Sequence, residues 1–261
     1  MSTTRWIVVT VLVAVIVGGS YGIYYILSAH SGPGEVMALA QIRPNIVDED
    51  QLKQQLTILH PEVPPDKQSR YQLFVTPDDA EVQALAARVD GAGEAYAEAV
   101  QWTWVSDLTL HGQTERWLMP GGFLADTPDD PDNPRPGFVV SDCEEQANTL
   151  VSVLRAEGIA PDAVRVVLGR VNFGGQEGGH AWVEIMHQGE WLPLEATSGP
   201  YWDDDEWQLV PRAGNPFDYF AERDYPVVQV WAYYNDIYYL DPRSGEGNAP
   251  ASWLQPQLLI Q

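Results

Sequence analysis

The pattern of hydrophobic and polar positions changes character several times along the chain. Residues 6–27, WIVVTVLVAVIVGGSYGIYYIL, form an uncharged apolar run, long enough to cross a bilayer as a helix. Residues 29–75 lose that character. Rich in Pro and Gln, with PEVPPDKQ at 61–68, they predict a stalk carrying one short helix near 48–59. A helical period then sets in. Thr76 is a capping residue, Pro77 suits a first turn, and Asp78 and Asp79 favour the positive end of a helix dipole. Val82, Leu85, Ala86 and Val89 follow at helical spacing. Gly91 and Gly93 interrupt, and a second helical run passes through Tyr96, Val100 and Trp104. Residues 115–137, ERWLMPGGFLADTPDDPDNPRPG, predict a loop.

The best-marked helix comes next. Ser141 and Glu144 have the spacing of a capping box, which starts the helix at Asp142 and puts Cys143 in its first turn. Ala147, Leu150, Val151 and Leu154 form its buried stripe, and Gly158 is its stop signal. Beyond Gly158 the period becomes two. Residues 163–169, 180–186 and 191–196 predict strands, with the glycine-rich GRVNFGGQEGG between the first two and HQGE between the last two. YPVVQVWAYY and IYYL add further strands. Helices followed by antiparallel strands predict an α+β domain over residues 76–242, with 243–261 as a tail.

The register of the second hairpin follows from a two-residue turn at Gln188-Gly189. His187 then pairs with Glu190, Ile185 with Leu192 and Val183 with Leu194. One face becomes Ala181, Val183, Ile185, Leu192 and Leu194, all apolar and therefore the core face. The other carries His180, Trp182, Glu184, Trp191 and Glu195. His180 and Glu195 are diagonal neighbours there, within reach of long side chains. A carboxylate in that place accepts one imidazole N–H and leaves the other ring nitrogen for a thiol.

The thiol available is Cys143, the single cysteine of the chain. It forms no intramolecular disulfide, so it is either a small buried hydrophobe or a reactive group. Unpaired N–H groups at a helix start favour a thiolate and can hold an oxyanion. A buried core cysteine fits the periodicity equally well.

Taken together, SDCEEQANTLVSVLRAEGI, GGHAWVEI and WLPLEATSG resemble the transglutaminase-like superfamily of papain-type thiol enzymes. The family pattern is a G-D-C-E/D helix, then G-H-A-W-V-E-V, then W-x-x-L-D-P-T, and the likeness covers residues 104–199. It implies a papain-like α+β fold with Cys143 as nucleophile, His180 as general base and acid, and Glu195 as the residue orienting the imidazole. Ser141 replaces the usual Gly, Glu195 stands where Asp is typical, and Ala196 where Pro is. ERWLMPGGFL is similar to the W-x-x-P segment before the family's Cys, which implies that Trp117 contributes to the active-site wall or oxyanion region. A core or loop-anchoring tryptophan is the competing reading. The resemblance implies acyl transfer from an amide, with a peptide or cell-envelope amide as substrate and hydrolysis by a protease or amidase as the first choice. The alternatives are amine transfer, meaning cross-linking, and an inactive module binding a peptide or glycan, which ten tryptophans and twelve tyrosines would suit.

Charge narrows the partners. A net charge of −23, from 37 acidic against 14 basic residues, excludes nucleic acid, because like charge repels phosphate. The two lysines are Lys53 and Lys67; such lysine-poor acidic composition fits solubility in high salt, and ordinary acidic proteins share it. No zinc-type His/Cys cluster and no phosphate-binding glycine loop is present, so no cofactor is expected. The acidic group Asp126, Asp129, Asp130 and Asp132 lacks the spacing of an EF-hand and reads as a solvated loop in preference to a calcium site. Arg5 before the apolar run, with no further charge until Glu35, orients it. Residues 1–5 are expected in the cytoplasm, 6–28 as a membrane anchor, and the rest outside the cytoplasm. A cleaved signal peptide is the alternative, disfavoured by the length of the run and the lack of a small-x-small site.

Overall fold

The computed structural model describes residues 48–254. The apolar run at 6–27 lies outside the described residues. Among those described, no helix is long and apolar enough to cross a membrane.

The described residues open on α1 (Glu49–Leu59), capped by the Asp48 carboxylate, which accepts from the amides of Asp50 and Gln51. Leu52 and Leu56, one turn apart, are buried. A 3-10 turn, Arg70–Phe74, adds Tyr71 and Phe74 to the same core. Residues 48–75, expected as a stalk, thus pack into the fold. The reason is local spacing: both segments place their apolar side chains on one face. The proline-rich connector between them is tied down by Arg70, whose guanidinium donates to the carbonyls of His60 and Pro61.

Next come α2 (Ala80–Ala86) and α3 (Gly91–Ala99). The cap of α2 is Asp79 and not Thr76, because the Asp79 carboxylate accepts from Glu81 and Val82 while the Thr76 amide donates to Ser152 Oγ. Gly91, at φ 79°, opens α3. Trp104, expected on that helix, lies instead in β1 (Thr103–Trp104). Two short helices, α4 (Asp107–His111) and α5 (Pro120–Ala125), follow. The second lies within the region expected as loop; its proline occupies the first helical position, where no N–H is needed.

After β2 (Val140–Ser141) comes α6 (Cys143–Ala156). Three antiparallel strands follow: β3 (Val164–Phe173), β4 (Gln176–His187) and β5 (Glu190–Leu194). The short β6 (Tyr201–Asp203) and β7 (Gln208–Val210) precede β8 (Val227–Tyr234) and β9 (Tyr239–Leu240). The main sheet has the order β5-β4-β3-β8-β9, antiparallel throughout. A smaller sheet has the order β2-β1-β6-β7, with β1 parallel to both of its neighbours. The mixed architecture agrees with the expected α+β class.

The hairpin register is as the turn predicts: His187 pairs with Glu190, Ile185 with Leu192 and Val183 with Leu194. Gln188 and Gly189 both have positive φ, 54° and 91°, the type I′ conformation that matches strand twist. The glycine-rich segment expected as a loop before His180 is strand almost throughout, since β3 and β4 pair out to Phe173 and Gln176 and leave only Gly174 and Gly175 to turn.

Helix α6 lies between this sheet and α2, α3 and α5. Every residue from Cys143 to Leu154 is buried, so its polar side chains need internal partners. Ser152 Oγ donates to the Asn148 carbonyl, Tyr234 Oη donates to Asn148 Oδ1, and Gln146 Nε2 donates to the Ser141 carbonyl. The helix ends as expected at Gly158, φ 93°, where the Ile159 amide reaches back to the Leu154 carbonyl. Residues 243–254, part of the segment expected as a tail, also pack. Arg243 pairs with Glu49 at 2.5 Å, and Trp253 is buried beside Arg165.

Candidate active site

The site is assembled where the start of α6 meets β4 and the end of β5. β5 pairs with β4 only up to Val183 and Leu194, so β4 runs past the end of β5 at His180 and Ala181. The Ala181 amide lies beside Cys143 and favours the ionised form of its thiol. His180, one residue earlier, offers Nε2 to Glu195 Oε2 at 2.9 Å. Its Nδ1 is buried and has no hydrogen-bond partner among the described residues. Cys143, His180 and Glu195 are all fully buried.

Glu195 caps the 3-10 turn Ala196–Ser198. Its Oε1 accepts from the Thr197 amide at 3.0 Å and from Thr197 Oγ1 at 2.6 Å. Oε2 accepts from Tyr225 Oη at 2.5 Å in addition to His180. Burial pushes the carboxyl up, but the His180 charge and the hydrogen bonds from His180, Thr197 and Tyr225 outweigh it, and the group sits below its ordinary value. Behind the turn, Gly199 permits a close backbone approach: a Cβ there would lie 2.0 Å from the Val100 carbonyl oxygen.

At the start of α6 the expected capping box is absent. Asp142 is the N-cap and makes no side-chain cap bond. Ser141 is held extended by the β2–β1 pairing and donates its hydroxyl to Glu145 Oε2 at 2.8 Å instead. The expectation that this helix start favours a thiolate is also corrected. Burial first, then the negative charge of Asp142, raises the Cys143 thiol well above its ordinary value, and the Ala181 amide only partly offsets them. Partial helix charge cannot outweigh desolvation plus full charges at close range. The thiol donates to Glu144 Oε2 at 3.3 Å.

Those charges belong to a buried acidic cluster that sequence reasoning missed. Asp107, Glu115 and Glu144 have ligand oxygens within 4.8 Å of one another, and so do Asp107, Asp142 and Glu145. All five are buried. Burial first, and Asp142 second, raises Asp107 to about 10 and lifts Glu144 and Glu145 well above the usual carboxylate range. Asp107 Oδ1 and Glu144 Oε1 have no hydrogen-bond partner among the described residues. Once deprotonated, a cluster of carboxyl oxygens of this kind suits a hard divalent cation, and the Cys143 sulfur lies equally close to Asp142 and Glu144. The acidic loop weighed in the sequence is different ground: Asp126, Asp129 and Asp132 are exposed. The only sequence signal for the real cluster was the run Asp142-Cys143-Glu144-Glu145, because Asp107 and Glu115 arrive from separate short elements.

Trp117 is buried, packs against Tyr71 and Phe74, and donates its indole N–H to Glu115 at 2.7 Å. It is thus a core aromatic tied to the acidic cluster. Glu184, on the same strand as His180, pairs with Arg165 at 2.6 Å, and Arg165 lies over the rings of Trp191 and Tyr233. Nothing in the sequence pattern separated that structural carboxylate from Glu195 beyond the hairpin register.

No curated protein matches the chain. Among solved structures, EGTA-treated Legionella pneumophila LapG is similar at 14% identity, over 69% of this chain and 92% of that one, with a TM-score of 0.39. Calcium-bound Legionella pneumophila LapG is similar at 14% identity over 77% and 94%, with a TM-score of 0.36. Residues 126–196, the segment that contains Cys143, His180 and Glu195, match the transglutaminase-like superfamily.

Proposed function

We propose that this protein is a thiol protease or amidase that cleaves an amide through Cys143, His180 and Glu195. The observation that carries the reading is the buried His180–Glu195 hydrogen bond at 2.9 Å, with His180 Nδ1 left open one residue from Ala181, whose amide favours the Cys143 thiolate. A proton on Nε2, held by Glu195, leaves Nδ1 as the acceptor for the thiol proton. The sulfur then attacks the amide carbonyl, and unpaired N–H groups in the first turn of α6 receive the oxyanion. His180 returns the proton to the leaving amine. Water resolves the thioester in a hydrolase; an amine would resolve it in a cross-linking enzyme. Because Cys143 is the single thiol, stoichiometric labelling by iodoacetamide under native conditions reports this residue alone. A chain that takes the label only when unfolded, and that hydrolyses no peptide amide, would remove the reading.

Either of two overlapping groups, Asp107 with Glu115 and Glu144 or Asp107 with Asp142 and Glu145, would hold a divalent cation. Bound there, it would neutralise the field that raises the Cys143 thiol. The protonation behaviour makes this testable. Carboxyls raised in the folded state bind more protons folded than unfolded, so the stability they contribute is lost as pH rises between the two values. For Asp107 that window runs from 3.8 to about 10. In EDTA the thermal midpoint therefore falls from pH 5 to pH 9. Calcium chloride at a hundredfold its Kd restores about 2.7 kcal/mol at the alkaline end. A midpoint indifferent to calcium at pH 8 would exclude the cation.

The apolar run at 6–27 supports a single-pass anchor with the catalytic domain outside the cytoplasm. An anchored chain stays in the membrane pellet through a high-salt wash. Recovery of a soluble form beginning near Ala29 or Ser31 would identify a signal peptide instead.

A further inference from the structure

We propose that Tyr225 is a positioning residue of this site, whose hydroxyl fixes the plane of the Glu195 carboxylate and thereby keeps the His180 proton on Nε2. The inference rests on the reading of Cys143, His180 and Glu195 as the catalytic group. An ionised carboxylate offers about four acceptor positions, and all four on Glu195 are filled: Thr197 amide and hydroxyl on Oε1, His180 and Tyr225 on Oε2. Thr197 belongs to the turn that Glu195 itself caps, so it pins one oxygen from within the same segment. Tyr225 pins the other from elsewhere in the fold, at 2.5 Å. With both oxygens held, rotation about the last carbon–carbon bond cannot carry Oε2 away from His180. Without Tyr225, the imidazole is the only partner left on that oxygen, and Thr197 alone holds the plane from the other side.

Tyr225 is built to stay in place. Pro226 follows it and biases its backbone to an extended conformation. The Val227 amide closes onto the Tyr225 carbonyl at 2.8 Å, a tight turn centred on the proline. The Pro226 carbonyl is in turn held by the Asn172 amide of β3 at 2.9 Å. The ring stacks on Trp182 with centroids 4.9 Å apart, and the edges of Phe173 and Phe220 close on it at 5.7 and 5.0 Å. Phe173 also sets its edge against His180 at 5.5 Å, so one aromatic ring supports both partners of Glu195 Oε2. This much restraint exceeds what a hydroxyl merely needing a partner requires. Tyr225 is half-buried as a residue, and its hydroxyl end is directed inward onto the buried Glu195.

The test is Tyr225→Phe, which keeps the stacked ring and removes only the hydroxyl. Two readouts are taken: turnover on a peptide amide, and the downfield proton NMR resonance of His180 Nε2–H against Glu195. Turnover is expected to fall about tenfold or more with KM within about twofold, as for other losses of imidazole orientation, and the resonance to shift or broaden. Near-ultraviolet circular dichroism confirms that the variant is folded. A folded variant whose Nε2–H resonance is unmoved would overturn the proposal, whatever the rate does, because Tyr225 would then not act through this hydrogen bond. The resonance is read without any turnover. Failure of the wild type to cleave amides or take label at Cys143 would therefore count against the enzyme reading and leave this arm standing.

Discussion

Cys143→Ala is expected to abolish iodoacetamide labelling and to lower amide hydrolysis by about 10⁴–10⁶-fold, while the protein remains folded. The chemical loss is large because no other group at the site forms a thioester; what survives would come from binding and oxyanion donors. The structural loss is small. Replacing the thiol empties one sulfur-sized volume in a buried site, which costs about 1 kcal/mol. The variant also loses the hydrogen bond that the thiol donates to Glu144. Against that, it removes a group that burial and Asp142 make difficult to ionise. The decisive comparison is activity at matched stability. A folded Cys143→Ala protein with wild-type turnover would end the nucleophile assignment. Equal binding of envelope fragments by both proteins, with neither cleaving them, would favour the binding-module reading.

Glu195→Gln should lower turnover less than loss of the nucleophile does, by between about tenfold and about 10⁴-fold, with little change in KM. The amide is isosteric but cannot satisfy four donors. Thr197 N–H, Thr197 Oγ1–H and Tyr225 Oη–H all point at Glu195 oxygens. A Gln NH₂ turned toward any of them sets donor against donor, and one turned toward His180 drives the imidazole proton onto Nδ1. Stability falls too, by about 1–3 kcal/mol for the donors left unmatched. The sign of the pH dependence is opposite to that of the acidic cluster. Glu195 is depressed below its ordinary value of 4.5, so its contribution is present above that value and lost as pH falls through the folded one. The variant lacks that acid-side loss. Glu195→Asp also loses activity, since a side chain shorter by one methylene cannot reach His180, Thr197 and Tyr225 together. Glu184→Gln is the contrast. It strips the charge against which Arg165 is buried and costs about 3–5 kcal/mol of stability, while leaving the chemistry at His180 in place. If Glu184→Gln removed turnover in a folded protein and Glu195→Gln did not, the orienting carboxylate would be the wrong one.

Several parts of this architecture were legible in the chain because they depend on neighbours close in sequence. The Gln188-Gly189 turn sets the β4–β5 register within a few residues, and period-two alternation then puts His180 and Glu195 on one face. Helix α6 announces itself through its periodicity and Gly158. Helix α1 does so through Asp48 and the Leu52–Leu56 spacing. The start of α6 was read less well: a capping box was legible at Ser141 and Glu144, yet pairing of β2 with β1 holds Ser141 extended and sends its hydroxyl to Glu145.

What lay beyond the sequence has a common physical origin in contacts between distant segments. The smaller sheet consists of two- and three-residue strands that pair across the fold, and two residues carry no periodicity. Residues 48–75 look like a stalk from their prolines, but α1 and the Arg70–Phe74 turn have apolar faces that only the assembled core can cover. The ionisation of Cys143 shows the division most clearly. Sequence alone determined that this single thiol opens a helix upstream of a His/Glu hairpin. The tertiary structure made it hard to ionise, by burying it beside Asp142 and by bringing Glu115 from a separate element. It likewise decided that Tyr225 meets Glu195. A local signal can specify a turn, a cap or a face; the electrostatic field at a buried atom is a sum over everything packed around it, and only the folded chain determines that sum.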